Sequence, residues 1–294
     1  MEPHALAAFF NALLLFKFVP AHLNAARITF IPKTKSPINP QDFRPISISS
    51  ILIRIFHKLF FNRWVDHFPA NRPQLGFLHK DGCFEATSIL HASIRHSHVN
   101  NTDLSFATLD ISKAFDSISH DSLLRGATAF GAPPILISYL SNFYKSASAS
   151  FHDIHIQPKS GVRQGDPLSP LLFIMALDEA LQLPDHSAWM SPAGPVNYIA
   201  YADDIVLYAA NRDALQQRLK ILGDNLNQLG LHLNSDKCLI TNIVADGRRK
   251  TTVLDTMPIS IDGVNFPSLL PLLNFKLLGI DFSLKEKLRT IVEK

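Results

Sequence analysis

The fold is decided by the stretch Asn197-Tyr198-Ile199-Ala200-Tyr201-Ala202-Asp203-Asp204-Ile205-Val206-Leu207-Tyr208-Ala209-Ala210. Two short apolar, β-prone runs flank a tight turn that carries two adjacent carboxylates, the pattern of a hairpin. Asp is at home in turns, so an isolated Asp-Asp pair is a structural turn in most proteins. A second segment changes that reading. Residues 105–110 form an apolar strand ending in Asp110, within Leu109-Asp110-Ile111-Ser112-Lys113-Ala114-Phe115-Asp116. If the two strands are neighbours, Asp110, Asp203 and Asp204 meet at one sheet edge. Like charges a few ångströms apart raise one another's pKa unless a cation neutralises them. Hard oxygen ligands from two strands suit Mg²⁺, which keeps water and substrate phosphates in its remaining positions. Two such ions about 3.5–4 Å apart clamp an in-line phosphoryl displacement.

Around these strands the chain alternates helical and strand patterns, which predicts an α/β or α+β fold with helices backing a sheet. A helix is expected over 49–68, with Leu52, Ile55, Phe56 and Leu59 on one face and Arg54, Lys58 and Asn62 on another. Another follows over 120–130, stopped by Gly131 with Pro133-Pro134 beyond. Ser169 and Pro170 read as the cap and first-turn proline of a helix running to Leu183. Leu215, Leu219, Leu222, Leu226 and Leu229 make one helical stripe closed by Gly230, a core stripe without functional weight. Residues 231–241 read as a strand. Ser160-Gly161-Val162-Arg163-Gln164-Gly165-Asp166-Pro167-Leu168-Ser169-Pro170 is a Gly/Pro-rich helix entry, a common structural turn when taken alone.

Composition narrows the class. The 294 residues are 47% hydrophobic and 18% charged, a globular balance at about two domains' length. Cys83 and Cys238 are the only cysteines, which excludes a disulfide scaffold and a cysteine-only zinc cluster. The net charge of +3 hides an asymmetry: residues 1–100 hold 11 Lys/Arg against 5 Asp/Glu, and residues 101–294 hold 17 against 20. A basic front suits a polyanion and an acidic back suits metal. Aromatic and basic residues intermix at Phe56, His57, Lys58, Arg63 and Trp64, as a nucleic-acid face or as core aromatics of an amphipathic helix. The apolar residues 5–18 are interrupted by Asn11 and Lys17 and ended by Pro20, too short for a bilayer. No basic n-region precedes them, so neither a membrane partner nor a signal peptide is expected.

In this order and spacing, the motifs resemble those of the reverse transcriptases of non-LTR (LINE-type) retrotransposons, most of all the clade inserting into ribosomal RNA genes. Ile31-Pro32-Lys33 and Asp42-Phe43-Arg44-Pro45-Ile46-Ser47 match a first fingers block. Residues 74–77 with Asp81-Gly82 match a second. Residues 109–116 match motif A, 161–170 motif B, 201–204 motif C, 230–238 motif D, and Phe275-Lys276-Leu277-Leu278-Gly279 the primer grip, motif E.

The resemblance implies an α+β right-hand polymerase with an antiparallel palm sheet. It divides the chain into an N-terminal helix and fingers over 1–104, a palm with an interleaved fingers segment over 105–265, and the primer grip with the start of a mostly missing thumb over 266–294. It implies Asp110, Asp203 and Asp204 as catalytic residues. These, with Ile111, would bind two Mg²⁺ ions, with Mn²⁺ as a substitute. Phe115 falls at the steric gate against a ribose 2′-hydroxyl, against the competing reading of a plain core Phe. Gln164 and Gly165 fall beside the incoming nucleotide. Lys33 and Arg44 fall on triphosphate or template, and Lys237 where it would protonate pyrophosphate. For these three a solvated surface charge is the competing reading. Arg163 is a weaker candidate, and the role of Arg248-Arg249-Lys250 stays open between duplex contact and exposed loop.

The expected partners are an RNA template, a DNA primer and dNTPs, without zinc. The DNA-binding and endonuclease segments of full-length relatives are expected to be absent, as in a fragment or a decaying copy. The nucleus is expected by analogy, although no localisation signal is evident. Three functions compete: an RNA-directed DNA polymerase, an inactive nucleic-acid-binding remnant, and an interaction scaffold that borrows the fold.

Overall fold

The acidic hairpin lies at the edge of a five-stranded antiparallel sheet whose strand order is Thr251–Asp255, Leu239–Asp246, Leu104–Leu109, Asp204–Ala209, Tyr198–Tyr201. This computed structural model describes residues 2–69, 72–270 and 274–284. The central strand Leu104–Leu109 is apolar nearly throughout because both of its faces are covered. Phe106 and Tyr208, cross-strand partners, pack in one cluster with Leu90 and Ile94 of the helix Gly82–Asn100 and with Phe275 and Phe282 of a C-terminal hairpin. The helix Arg212–Gln228 also packs on this sheet. Its leucine stripe is buried as expected, and Gly230 beyond it takes the left-handed φ of +79° that a helix stop demands.

These elements form one compact unit of the chain, comprising Pro73–Ser112, Ala180–Gln228 and His232–Lys294. The other unit comprises Met1–Arg72, Lys113–Glu179 and Leu229–Leu231. Its four-stranded sheet runs Phe43–Ser49, Ala25–Pro32, Ser148–Phe151, Ile154–Ile156, with one parallel pairing between Ala25–Pro32 and Ser148–Phe151. Helices Pro3–Phe16, Ile51–Trp64, His120–Ala129 and Pro134–Lys145 accompany it. The units are discontinuous in sequence, whereas the expected segments 1–104, 105–265 and 266–294 are contiguous. Of the last segment, residues 271–273 and 285–294 lie outside the described residues.

Four sequence expectations shift. The helix Ile51–Trp64 is rotated: Ile53, Phe56, His57 and Trp64 are buried, while Ile55 and Leu59 face solvent. A buried histidine decides the face, so Phe56, His57 and Trp64 are core, and only Lys58 and Arg63 of that group are exposed. Ser169 lies inside the helix Ser169–Ala180, which stops short of Leu183. The Asp166 carboxylate accepts the Leu168 N–H (2.9 Å) just ahead of it. Residues 231–241 are not one strand: the Lys237 and Cys238 N–H groups both return to Asn234 O, a turn that delays the strand to Leu239. Pro134–Lys145 is a helix where none was expected, opened by the proline that the preceding loop seemed to own. Among the described residues, no helix is long and apolar enough to cross a membrane.

Candidate active site

The central strand ends at Leu109, which pairs with Ile205. Continuing that antiparallel register sets Asp110 across from Asp204, the first residue of the hairpin's return strand. Tyr201 pairs with Asp204, so Ala202 and Asp203 form the turn between them. Ala202 takes a φ of +56°, a left-handed conformation uncommon for a residue with a side chain. The three sequence-predicted carboxylates therefore share one edge of one sheet. Although the Asp204 side chain reaches solvent, burial and then the charges of Asp203 and Asp110 push its pKa up to about 6. Burial is the larger cause, and the like charges of Asp203 and Asp110 add to it.

The segment after Gly230 wraps this edge. The Asn234 N–H donates to Asp110 O (2.9 Å), the Ser112 N–H to His232 O (2.9 Å), and Ile111 bridges Leu233. The Asp110 N–H points at Cys238 Sγ, 3.5 Å away. The turn at Asn234 brings Lys237 Nζ to 3.8 Å from Asp110 Oδ2, with most of the lysine in solvent. Ile111, buried and with a hydrocarbon side chain, has only its main-chain carbonyl oxygen to offer a metal.

Phe115, Gln164 and Gly165 come together in the other unit. The Val162 N–H donates to Phe115 O (2.7 Å) and the Ser47 N–H to Gln164 O (2.7 Å). These bonds tie the glycine-rich loop to both the Phe115 turn and the strand Phe43–Ser49. Gly165 has a φ of +104°, and a Cβ there would meet Ser47 O at 2.9 Å, so the position requires glycine. Gln164 Nε2 donates to Asp116 Oδ1 (2.7 Å), which holds the amide at the loop surface. Phe115 is half-buried and stacks on the buried ring of Phe173, with centroids 4.4 Å apart. Arg44 is exposed on the strand Phe43–Ser49 opposite Ile31, and Lys33 is exposed just past the partner strand. Arg163 is not a surface contact: it is buried, donates to Asn24 and Ser49, and lies over the Phe143 ring.

Sequence reading missed two groups. One is buried beneath the loop: Asp166 Oδ2 lies 2.6 Å from His57 Nδ1, and His57 Nε2 lies 2.9 Å from the Tyr139 hydroxyl. Burial alone pushes the Asp166 carboxyl up, but the His57 ring, the Leu168 N–H and Arg163 together hold it below the ordinary carboxylate range. The recurrence of 53, 57 and 64 on one helical face was the available signal for His57. The other group is Gln74, 1% exposed, whose side chain reaches the main chain of Ala202. The motif match over 74–77 includes it but assigns its side chain no role.

Among the described residues, no three His, Cys, Asp or Glu side chains are drawn together into a ready-made metal cage. The donor chemistry nevertheless fits a hard divalent cation: carboxylates from two adjacent strands, one with its pKa raised by burial and then by its neighbours' charges.

An antiparallel sheet that presents carboxylates from its central strand and the adjoining hairpin gives the chain the α+β, right-hand polymerase fold class. The chain belongs to the reverse transcriptase (RNA-dependent DNA polymerase) family, whose model matches residues 31–282. It is 37% identical over 285 residues to the retrovirus-related Pol polyprotein from the type-2 retrotransposable element R2DM of Drosophila melanogaster, covering 95% of this chain and 27% of that protein. The Pol polyprotein from the type-1 element R2 of Nasonia vitripennis is 32% identical, with 93% and 27% covered. The chain thus spans about a quarter of the length of these curated relatives. A solved structure of apo telomerase from Candida tropicalis shares the fold at a TM-score of 0.53 and 13% identity, over 83% of this chain and 56% of that one.

Proposed function

We propose that the chain is the polymerase domain of a non-LTR retrotransposon of the R2 type, which extends a DNA primer on an RNA template with dNTPs. The observation that carries this reading is the register that sets Asp110 across from Asp204 at the edge of one sheet. Two Mg²⁺ ions, or Mn²⁺ in their place, held by Asp110, Asp203, Asp204 and the Ile111 carbonyl, would activate the primer 3′-hydroxyl and neutralise the triphosphate.

The rest falls to this chain's residues. The 3′-hydroxyl gives up its proton to solvent water and its oxygen forms a bond to the α-phosphorus as the bond from that phosphorus to the α,β-bridging oxygen breaks, and pyrophosphate leaves. Lys237, poised at Asp110, hands that leaving group a proton. Phe115, braced by Phe173, bars a ribose 2′-hydroxyl. Gln164 and Gly165 line the nucleotide, and the exposed Lys33 and Arg44 meet phosphates. Synthesis primed at a chromosomal target would place the protein in the nucleus.

Primer extension on an RNA template with Mg²⁺ tests this, comparing the chain with its Asp203→Ala plus Asp204→Ala variant. Extension that the double substitution abolishes is the expected result. A folded wild-type chain that binds RNA–DNA hybrid without extending it would make the protein a nucleic-acid-binding remnant instead.

A further inference from the structure

Gln74 lies far in sequence from the carboxylates, yet it is bonded to the turn between two of them. Residues Pro73 to Gly76 run beside the hairpin's outer strand as a short parallel addition. The Ala200 N–H donates to Pro73 O (2.9 Å), the Leu75 N–H donates to Ala200 O (2.7 Å), and Gln74 bridges Ala200. This fixes the Gln74 backbone two residues short of the turn. Its side chain then spends both ends on main chain. Oε1 accepts the Gly76 N–H (2.9 Å) and the Ala202 N–H (2.8 Å), and Nε2 donates to Ala202 O (3.2 Å). One side-chain amide therefore grips both main-chain polar groups of the residue held at a φ of +56°.

Gly76 permits the approach. A Cβ there would stand 2.4 Å from Ala202 N, so only glycine lets this strand lie so close to the turn. The left-handed Ala202 has no glycine's freedom, and a residue in that conformation persists only where its surroundings over-determine it. The next two residues are Asp203 and Asp204.

We propose that Gln74 is the positioning residue of the carboxylate turn: its amide holds Ala202 left-handed and so sets the directions in which Asp203 and Asp204 present their oxygens to a cation. The inference rests on the reading of Asp110, Asp203 and Asp204 as the cation-holding site. Glutamine is the residue for this task because one planar group both donates and accepts. Glutamate would keep the two accepted bonds, lose the donated one and add a fourth carboxylate near three that already repel. Methionine would keep the volume and lose all three bonds.

The experiment measures Mn²⁺ affinity by electron paramagnetic resonance on the whole chain, without nucleic acid. It compares wild type, Gln74→Met, Gln74→Asn and Asp203→Asn, and reads amide hydrogen exchange in parallel. Gln74→Met is expected to bind Mn²⁺ about tenfold more weakly. The Ala202, Asp203 and Asp204 amides should exchange at least about tenfold faster, while Phe106 and Ala107 in the central strand keep wild-type protection. A merely structural glutamine would loosen the strand as a whole and leave the affinity of the folded fraction alone. Gln74→Asn, one methylene too short to span both bonds, should shift affinity in the same direction by a smaller factor, and it serves if the Met variant does not fold. Mn²⁺ affinity within twofold of wild type in a variant whose Ala202 amide has been freed overturns the inference. Wild-type affinity no tighter than that of Asp203→Asn overturns the reading of the site itself, and the role of Gln74 falls with it.

Discussion

Asp166 and Asp204 are both carboxylates packed among charged neighbours, and the structure treats them oppositely. Asp166, in the unit that holds the glycine-rich loop, is buried and answered on every side: His57 at 2.6 Å, the Leu168 N–H, and the charge of Arg163. Its pKa is held down. Asp204, at the sheet edge of the other unit, has no such answer: burial first, and then the charges of Asp203 and Asp110, push its pKa up to about 6. A charge that serves the fold is buried and satisfied, because an unanswered buried ion costs several kcal/mol. On the proposed function, a charge that serves chemistry is left crowded, so that a cation arriving from solvent relieves it. Stability and function are therefore expected to separate when the two groups are mutated.

The largest effect on stability should come from the answered group. His57→Ala leaves the Asp166 carboxylate buried without its nearest partner and should cost about 3–5 kcal/mol, read by urea denaturation. The Asp166 contribution has a definite pH window. A lowered carboxyl pKa stabilises fully above the unfolded value and is lost as pH falls below about 4, so wild type should lose stability there more steeply than a His57→Ala chain does. Next comes Arg218, fully buried on the helix Arg212–Gln228, whose guanidinium serves Pro184 O, Ser187 Oγ, Asn197 Oδ1 and Asn197 O. Arg218→Leu strands those acceptors and should cost about 1–3 kcal/mol, with the loss visible in a thermal melt. Gly165→Ala forces a side chain into a left-handed position against Ser47 O and should cost about 1–3 kcal/mol, with a raised KM for dNTP. Asp204→Asn is the smallest and the most telling. Removing one of the crowded charges should leave stability unchanged or raise it by under about 1 kcal/mol while extension falls. A clear destabilisation by Asp204→Asn would break the contrast.

How much of this was legible in the sequence follows the same division. The hairpin 197–210, the strand into Asp110 and the leucine stripe were readable because each depends on local spacing and turn chemistry. Motif order carried the family. The helix Ile51–Trp64 was misread in its face because Ile55 and Leu59 are as apolar as Ile53, and only the partners of His57, 82 and 109 residues away in sequence, explain why a histidine is inside. Arg218 lies within the segment of the leucine stripe, and its buried partners, 21 to 34 residues away, leave no mark in that spacing. Gln74 stood inside a motif block, residues 74–77, but its role did not show there because it depends on bonds across 128 residues of chain. Long-range polar satisfaction leaves no periodic trace, whereas a local carboxylate pattern does.

The central claim is that the crowded carboxylates exist for a cation and for catalysis, not for the fold. Asp110→Asn tests it most directly, because it removes one charge and almost no volume. Thermal melting and Mg²⁺-dependent primer extension should be measured on the same preparation. An unchanged or higher melting temperature is expected, together with a loss of extension of at least about a thousandfold, or about 4 kcal/mol in the barrier. A variant that melts well below wild type, or one that still extends the primer, would contradict it.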